Sequence, residues 1–153
     1  ERILHIPSNK EDEGMGLCAG AYMGGKRPCI IMQNTAIGVT INTLVTLIQY
    51  YRMPLPILIS YRVEVGEKVQ CQVEMAVHTK ALLEQLKIPT YHFHEPKDAD
   101  EFDSILNHTF MYGKKTSCHS NRRQLLEFNI MIRADILKAI IPVISDELVV
   151  SNI

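Results

Sequence analysis

Short, uninterrupted runs of apolar residues alternate along the chain with longer segments in which apolar positions recur at helical spacing. Two of the runs, CIIMQ (29–33) and PILIS (56–60), are almost free of polar residues, which is typical of strands buried on both faces. Further strands are predicted at 2–7, 90–94, 115–119 and 148–153. Because the sequence contains no two-residue hairpin signal, we expect an α/β fold in which a parallel sheet is flanked by helices on both faces.

The predicted helices begin and end at recognisable signals. Ser8 or Asn9 can cap the first helix, whose first turn carries three acids at 11–13, as the helix dipole favours. The segment GGKRP (24–28) ends this helix, since glycine and proline terminate helices. Three more helices are predicted in the first part of the chain, at 39–51, 73–86 and 98–112, and one near its end, at 133–141.

The alternating pattern changes near a polar stretch at residue 122. Residues 1–121 are predicted to form one α/β domain, and residues 122–131 a linker. Residues 132–153 contain one more helix and a final apolar strand, LVVSNI, as the opening of a further α/β unit would. We therefore expect one domain followed by the first part of a second.

The first helix is unusually rich in the smallest residues. Gly14, Gly16, Ala19 and Gly20 follow its acidic first turn, although each helical glycine costs roughly 1 kcal/mol relative to alanine. Such a run predicts that something approaches the helix backbone closely. The approaching group is either a second protein domain or the sheet of the chain itself.

Composition and charge narrow the classes of function. The formal net charge of −1 favours neither nucleic acid nor an anionic membrane surface as a partner. No apolar run approaches the roughly 20 residues that a membrane span needs, and the four cysteines lack zinc or dithiol spacing, so we expect a cytoplasmic protein with reduced thiols. His92 and His94 alternate on a predicted strand, but with no third ligand in sight they favour a polar strand end over a metal site.

Polar residues gather where the predicted strands end. Ligands of parallel sheets bind at the carboxyl ends of the strands, which here follow residues 7, 33 and 60. Gln33, Asn34 and Thr35 are therefore candidates for contact with a ligand, although Asn34 or Thr35 could instead cap the next helix. The acidic triplet lies at the same predicted edge.

Four sequence blocks resemble the pyrimidine-binding domain of thiamin-diphosphate-dependent decarboxylases, the family that includes sulfopyruvate and phosphonopyruvate decarboxylases. They are KEDEGMGLCAGAYMGGKRP, IIMQNTAIGVTINTL, PLPILISYR and GEKVQCQVEMAVHTKALLEQLKIP, in the family's order and spacing. The tail IRADILKAIIPVISDELVVSNI resembles the start of the diphosphate-binding beta subunit. In the family a strand and a helix normally precede the position of Arg2, and glycine, proline and glycine usually stand where this chain has Val63, Glu74 and Ala76.

The resemblance implies that one glutamate activates thiamin diphosphate. In the family this glutamate hydrogen-bonds to a nitrogen of the pyrimidine ring, and the GLCAG block aligns it with Glu11. Glu13 is the alternative, because a shift of two positions is easy within an acidic triplet. Without the resemblance, the same acids would be read as ordinary complements of a helix dipole.

The remaining site residues implied by the resemblance divide between cofactor and substrate. The cofactor is expected to contact Gln33, Asn34 and Thr35. The acidic groups of the substrate favour charge-assisted and amide donors, and the candidates for this role are Arg62, Lys68 and Gln72.

The resemblance also implies a reaction and a partner. The expected reaction converts sulfopyruvate to sulfoacetaldehyde and carbon dioxide, in coenzyme M biosynthesis. Phosphonopyruvate or another 3-substituted pyruvate is the alternative substrate, and a non-catalytic domain that keeps the fold is the alternative function. The acidic, glycine-containing motif that binds diphosphate and Mg²⁺ does not occur in the 153 residues. We therefore expect a diphosphate-binding beta domain or subunit as partner, in a homo- or hetero-oligomer, and no metal ligands in this chain.

Overall fold

The computed structural model describes residues 4–62, 69–93, 99–115, 127–132 and 148–152, which form a six-stranded parallel sheet with flanking helices. The strands are β1 (Leu4–Pro7), β2 (Pro28–Gln33), β3 (Leu55–Ser60), β4 (Thr90–Phe93), β5 (Glu127–Ile132) and β6 (Leu148–Asn152). The helices are α1 (Glu11–Met23), α2 (Ala36–Thr43), α3 (Gln70–Gln85) and α4 (Ala99–Lys115). The predicted α/β class is confirmed.

The helices cover both faces of the sheet, whose strand order is β1-β6-β2-β3-β5-β4. The chain advances in one direction from β1 to β4 and then returns to β5, so right-handed crossovers place α1, α2 and α3 on one face and α4 on the other. The register partners Ile30 and Ile57 belong to one buried cluster with side chains of the first three helices. Ile31 and Leu58, one position further along each strand, face the opposite side, where Phe102 of α4 is fully buried.

The first helix is not capped as predicted. Its N-cap residue is Lys10, which makes no side-chain hydrogen bond to the helix. Ser8 Oγ instead donates to the Lys10 carbonyl at 2.7 Å, and neither Ser8 nor Asn9 occupies the cap position. The acidic first turn is therefore the main side-chain complement to the positive end of the helix dipole.

The second helix begins earlier than residue 39 and changes its winding. It starts at Ala36 as α2, and residues Leu44–Gln49 continue it as a π-helix. Gln49 Nε2 donates to the Leu86 carbonyl at 3.0 Å, which ties the π-helical segment to the end of α3. A π-helical turn holds more residues than an α-helical turn, a difference that the spacing of apolar residues does not reveal.

The predicted linker and tail lie within the same sheet as the rest of the chain. Residues 127–131, predicted as linker, belong to β5, which pairs with β3 and β4, so the linker prediction is wrong there. The tail strand β6, predicted to open a second domain, pairs with β1 and β2. An apolar parallel strand needs cover on both faces, and Val150 of β6 is fully buried at this position. The predicted helix at 133–141 and residues 116–119 of the predicted strand lie outside the described residues, and Lys115 belongs to α4.

Three helical segments end in a turn with a left-handed residue. After α1 this residue is Gly25, at φ = 83°, and its N–H donates to the Tyr22 carbonyl at 2.9 Å. Arg52 and Lys87 hold the corresponding position after the π-helical segment and after α3, at φ = 53° and 58°. The left-handed region costs a residue with a side chain about 1–2 kcal/mol, so two of these turns are strained where the first is not.

Lys87→Gly is expected to raise the free energy of unfolding by about 0.5–1 kcal/mol, because relief of the left-handed strain exceeds the extra chain entropy that glycine loses on folding. The backbone hydrogen bond from Ile88 N to the Leu83 carbonyl, at 3.0 Å, needs no side chain at position 87. Urea unfolding measures the change. Gly25→Ala is the reverse substitution and should lower stability by a similar amount; a less stable Lys87→Gly protein would contradict the assignment of strain.

Candidate functional site

The carboxyl ends of β1, β2 and β3 lie at one edge of the sheet, where Pro7, Gln33 and Ser60 are the last residues of their strands. The helices α1, α2 and α3 begin beyond this edge, so their N-terminal backbone N–H groups are directed toward it. Ligands of open α/β sheets bind in this position.

Glu11 begins α1 at this edge and is partly sheltered from solvent. It is the first residue of α1 and is half-buried, whereas Glu13 is exposed. Asp12 is also half-buried, but its Oδ1 accepts a hydrogen bond from the Glu13 backbone N–H at 2.9 Å. The geometry therefore favours Glu11 over Glu13 as the acid that meets a ligand.

The small residues of α1 divide between two faces of the helix. A Cβ atom added to Gly14 would lie 3.1 Å from Ile30 Cδ1 and 3.3 Å from Val150 Cγ1, and Ala19 is buried in the core. At Gly16 and Gly20, an added Cβ would meet no atom of the described residues within 4 Å. Of the two alternatives that the sequence left open, packing on the sheet of the chain itself is found for Gly14 and Ala19. Gly16 and Gly20 remain on an open face.

Three amide side chains are joined at the carboxyl end of β2. Asn34 Nδ2 donates to the Gln72 carbonyl at 2.8 Å, and Gln72 Nε2 donates to Gln33 Oε1. Asn34 is fully buried and Gln72 is 5% exposed, whereas Gln33 is half-buried. The structure thus brings together Gln33 and Asn34 from the predicted cofactor set with Gln72 from the predicted substrate set.

Neither Asn34 nor Thr35 caps α2 with its side chain. Thr35 is the N-cap residue and makes no side-chain cap hydrogen bond, while the Asn34 side chain is directed to Gln72. The structure therefore does not show the side-chain capping that the sequence left open as an alternative. Thr35 is half-buried and directly follows Asn34, so it lies next to the three amides.

Ser60 ends the strand that the sequence placed at this edge, but it was not among the predicted site residues. It is the register partner of Gln33, its carbonyl accepts a hydrogen bond from the Asn34 backbone N–H at 3.2 Å, and it is 6% exposed. Serine at the end of an apolar strand gives no signal of its own. Only the register of β2 against β3 places it beside the amides.

The first half of α3 is fixed to the edge by hydroxyl groups. Thr79 Oγ1 donates to the Met75 carbonyl at 2.9 Å and contacts the Asn34 carbonyl at 3.4 Å. Tyr61 donates its hydroxyl hydrogen to the Ala76 carbonyl at 3.0 Å. Tyr61, which follows β3, therefore acts in packing, and the helix that carries Gln72 is held in place.

The two cationic candidates stand differently. Arg62 is half-buried and lies two residues after the carboxyl end of β3. Lys68 lies outside the described residues, as does Val63. Of the other two departures from the family pattern, Glu74 is exposed and accepts a hydrogen bond from Gln70 Nε2 at 3.2 Å, and Ala76 is fully buried.

Other reactive side chains do not add to this site. Burial raises the pKa of the Cys18 thiol to about 12, so it stays protonated at neutral pH and is no nucleophile. Cys29 is buried and Cys71 is exposed. His92 is exposed on β4, and His94 lies outside the described residues. Among the residues that the structure describes, no three His, Cys, Asp or Glu side chains are grouped as a metal site would need, and no helix is long and apolar enough to span a membrane.

The structure is an α/β domain whose sheet edge carries a half-buried acid and neutral amides. The chain is 42% identical over 99 residues to sulfopyruvate decarboxylase subunit alpha of Methanococcus maripaludis, covering 65% of this chain and 58% of the relative. Identity to the protein of the same name is 35% over 117 residues in Methanocaldococcus jannaschii (76% and 68% covered) and 38% over 99 residues in Methanothermobacter thermautotrophicus (65% and 60%). The chain belongs to the family of sulfopyruvate decarboxylase alpha subunits.

The extent of the similarity is also informative. The matched residues span about three fifths to two thirds of the length of these curated relatives. No protein-family profile matches the chain. The predicted resemblance is confirmed at the level of the family.

Proposed function

We propose that this chain is the pyrimidine-binding part of a thiamin-diphosphate-dependent decarboxylase that converts sulfopyruvate to sulfoacetaldehyde and carbon dioxide, a reaction of coenzyme M biosynthesis. The family supports the reaction, and the observation that carries the role of this chain is the position of Glu11. It begins α1 at the ligand edge of a parallel sheet and is half-buried before any partner is added.

The residues at the edge suit an aminopyrimidine. Buried oxygen atoms of Asn34, Ser60 and Gln72 have no hydrogen-bond partner among the described residues, and open space lies beside Gly16 and Gly20. The first feature offers hydrogen-bond acceptors and the second offers room for a flat group or a second domain. When bound, thiamin diphosphate supplies the electron sink that a 2-oxoacid needs to lose carbon dioxide.

Glu11 is proposed to hold a proton at the pyrimidine ring nitrogen. A positioned carboxyl group can exchange a proton with that nitrogen and so act in general acid–base catalysis. In this chain alone Glu11 is only half-buried, so the remaining cover is proposed to come from the partner domain against the open face of α1. Gln33, Asn34 and Thr35 are proposed to hold the cofactor at the end of β2.

The substrate is proposed to lie on the Arg62 side of the cluster. A guanidinium group binds sulfonate or carboxylate through charge-assisted, bidentate hydrogen bonds, and Lys68 is proposed to assist it. Gln72 is 5% exposed and already bonded to Gln33. Its proposed contribution to substrate binding therefore acts through Gln33, whose half-buried amide it orients.

The diphosphate and its Mg²⁺ are proposed to be held by a partner, the diphosphate-binding beta domain or subunit. The relatives are named as alpha subunits, a name that implies a further subunit. A chain that binds only the pyrimidine end loses most of the cofactor's charge-assisted contacts. It should therefore bind thiamin diphosphate weakly and catalyse nothing alone.

Calorimetric titration of thiamin diphosphate and Mg²⁺ into the chain, with and without the beta subunit of a methanogen sulfopyruvate decarboxylase, tests this function. We expect tight binding only in the mixture, with release of carbon dioxide and sulfoacetaldehyde from sulfopyruvate. Faster turnover of phosphonopyruvate would change the proposed substrate and keep the reaction class. Cofactor binding without decarboxylation of any 2-oxoacid would instead identify a non-catalytic domain, and no binding in the mixture would overturn the proposal.

A further inference from the structure

The helix formed by α2 and its π-helical continuation lies between α1 and α3 and carries no charge. It packs against α1 on one side, and on the other side Gln49 donates to the Leu86 carbonyl at the end of α3. No Asp, Glu, Lys or Arg occurs from residue 28 to residue 51. This helix, residues 36–49, is here termed the middle helix. Its outer surface requires an explanation, since the solvent-facing positions of a helix usually hold charged or polar residues.

The outer surface of the middle helix is uncharged along its whole length. Its exposed side chains and the two tyrosines that follow form what is here termed the uncharged face: Val39, Asn42, Val45, Thr46, Tyr50 and Tyr51. Thr46 Oγ1 donates to the Asn42 carbonyl at 2.8 Å, so its hydroxyl hydrogen is bonded within the helix. Tyr50 and Tyr51 are 74% and 61% exposed and meet edge to face, with their ring centroids 4.9 Å apart. Two large rings are thus open to water beside a helix surface without charge.

The neighbouring helix α3 has the usual kind of outer surface. Its exposed positions include Glu74, Lys80 and Glu84, and Lys80 Nζ lies 3.9 Å from Glu84 Oε1. Both helices lie on the same face of the sheet, so the lack of charge is a property of the middle helix and not of the whole helical layer. The outer surface of α3 suits contact with water. That of the middle helix resembles the core of a protein–protein interface, which is depleted of charge and enriched in tyrosine.

The two tyrosines indicate how much area this surface offers. A tyrosine buries about 200 Å² when it is enclosed, so the exposed parts of Tyr50 and Tyr51 amount to about 270 Å². Each partner of a stable dimer buries about 800 Å². Val39 and Val45, which are 58% and 39% exposed, add to the same surface. The uncharged face therefore supplies a substantial share of an interface of standard size.

The absence of charge also bears on which partner is bound. In a two-fold dimer the residues near the axis meet their own copies, so a charge there would face an identical charge and oppose association. A different protein imposes no such limit, because its own charges can complement those of this chain. A face without charge therefore favours a second copy of this chain as the partner.

The order of side-chain sizes along the uncharged face fits an antiparallel pairing with its own copy. Val45 lies near the midpoint between Val39 and Tyr50, so in such a pair it would meet its own copy at the axis. Tyr50 would then lie over two smaller residues, Val39 and the exposed Gly38. We infer that two copies of this chain pack together through the uncharged face, with their middle helices antiparallel and a two-fold axis near Val45.

Sedimentation equilibrium of the 153-residue chain alone tests this inference. We expect a dimer that dissociates on dilution. Val45→Asp should weaken dimerisation at least about 100-fold, because two carboxylates would meet at the axis. Val77→Asp is the matched control: Val77 is 65% exposed on α3, outside the uncharged face, so the same substitution there should leave the dimer intact. Circular dichroism and thermal unfolding check that each variant is folded.

Mixing two variants tests the symmetry of the contact. Val45→Lys should be monomeric for the same reason as Val45→Asp, yet an equimolar mixture of the two should dimerise again, because opposite charges then meet at the axis. If a charge at Val45 prevents folding, Tyr50→Lys replaces these variants, since its position is the more exposed one. Loss of a tyrosine from the interface should weaken the dimer about 30-fold.

Three results would overturn the inference. One is a wild-type chain that stays monomeric, and another is a dimer that neither Val45→Asp nor Tyr50→Lys weakens. The third is loss of the dimer in both Val45 variants without its return in the mixture, since Val45 would then not lie at a two-fold axis. A monomeric chain whose binding to the diphosphate-binding partner is weakened by Val45→Asp would assign the uncharged face to that partner instead. Each of these results leaves the proposed function standing, because the inference uses no cofactor, substrate or reaction.

Discussion

Glu11→Gln is expected to lower the turnover of the assembled enzyme by about 10²–10⁴-fold, the usual contribution of a positioned acid or base. Glutamine keeps the size and the hydrogen-bonding capacity of the side chain but cannot exchange a proton with the pyrimidine ring nitrogen. The fold should be retained, because Glu11 lies in the first turn of α1 and the loss of its charge removes only about 0.3–1 kcal/mol of dipole interaction. Carbon dioxide release from sulfopyruvate, measured at saturating cofactor, gives the turnover.

Glu13→Gln is the matched control, since Glu13 carries the same charge two positions further along and is exposed. It should leave turnover close to that of the wild type. If Glu13→Gln shows the large loss and Glu11→Gln does not, the alternative alignment of the acidic triplet is correct. Near-normal turnover of both variants would refute the role of an acid at this helix start.

Gly16→Leu is expected to weaken assembly with the partner domain by about 5- to 150-fold while the chain itself stays folded. The expected size is that of overpacking at a close contact, about 1–3 kcal/mol. An added Cβ at Gly16 meets nothing within the described residues, so the larger side chain harms only a surface that approaches from outside. Analytical ultracentrifugation measures the assembly, and thermal unfolding measures the stability of the chain.

Gly14→Leu provides the contrast on the same helix. An added Cβ there lies 3.1 Å from Ile30 Cδ1, so the substitution should destabilise the chain by about 1–3 kcal/mol or more before any partner is present. We therefore expect Gly14→Leu to lower the stability of the chain and Gly16→Leu to weaken assembly with the partner domain. A Gly16→Leu chain that assembles normally, or one that unfolds alone, would show that the open face of α1 is not an interface.

Local sequence patterns predicted most of the first four strands and their helices. The run CIIMQ became β2 and PILIS became β3, because a continuous apolar run of this length is stable only when both faces are covered. The segment EFNIMI was missed because its polar surroundings favoured a linker. Its place in β5 depends on pairing with β3 and β4, strands that are distant in the sequence.

The sequence predicted site residues whose role follows from their residue type. It did not predict those whose role depends on strand register or on the face of a helix. Gln33, Asn34 and Gln72 were found from strand ends and the family resemblance, but Ser60 was not, since only the register of two strands reveals it. The helical period alone could have predicted that the small residues of α1 lie on two different faces. At 100° per residue, Gly16 and Gly20 lie on one side of a helix and Gly14 on the other.

The position of β6 has a consequence for how the protein folds. Leu148 pairs with Leu4, and β1 is joined to the rest of the sheet through β6. Among the described strands β1 pairs only with β6, so it gains a strand partner only through a loop closure across nearly the whole sequence, which slows folding. Until β6 arrives, the segment that presents Glu11 has no described strand beside it, so the acid should be among the last groups to acquire its native surroundings.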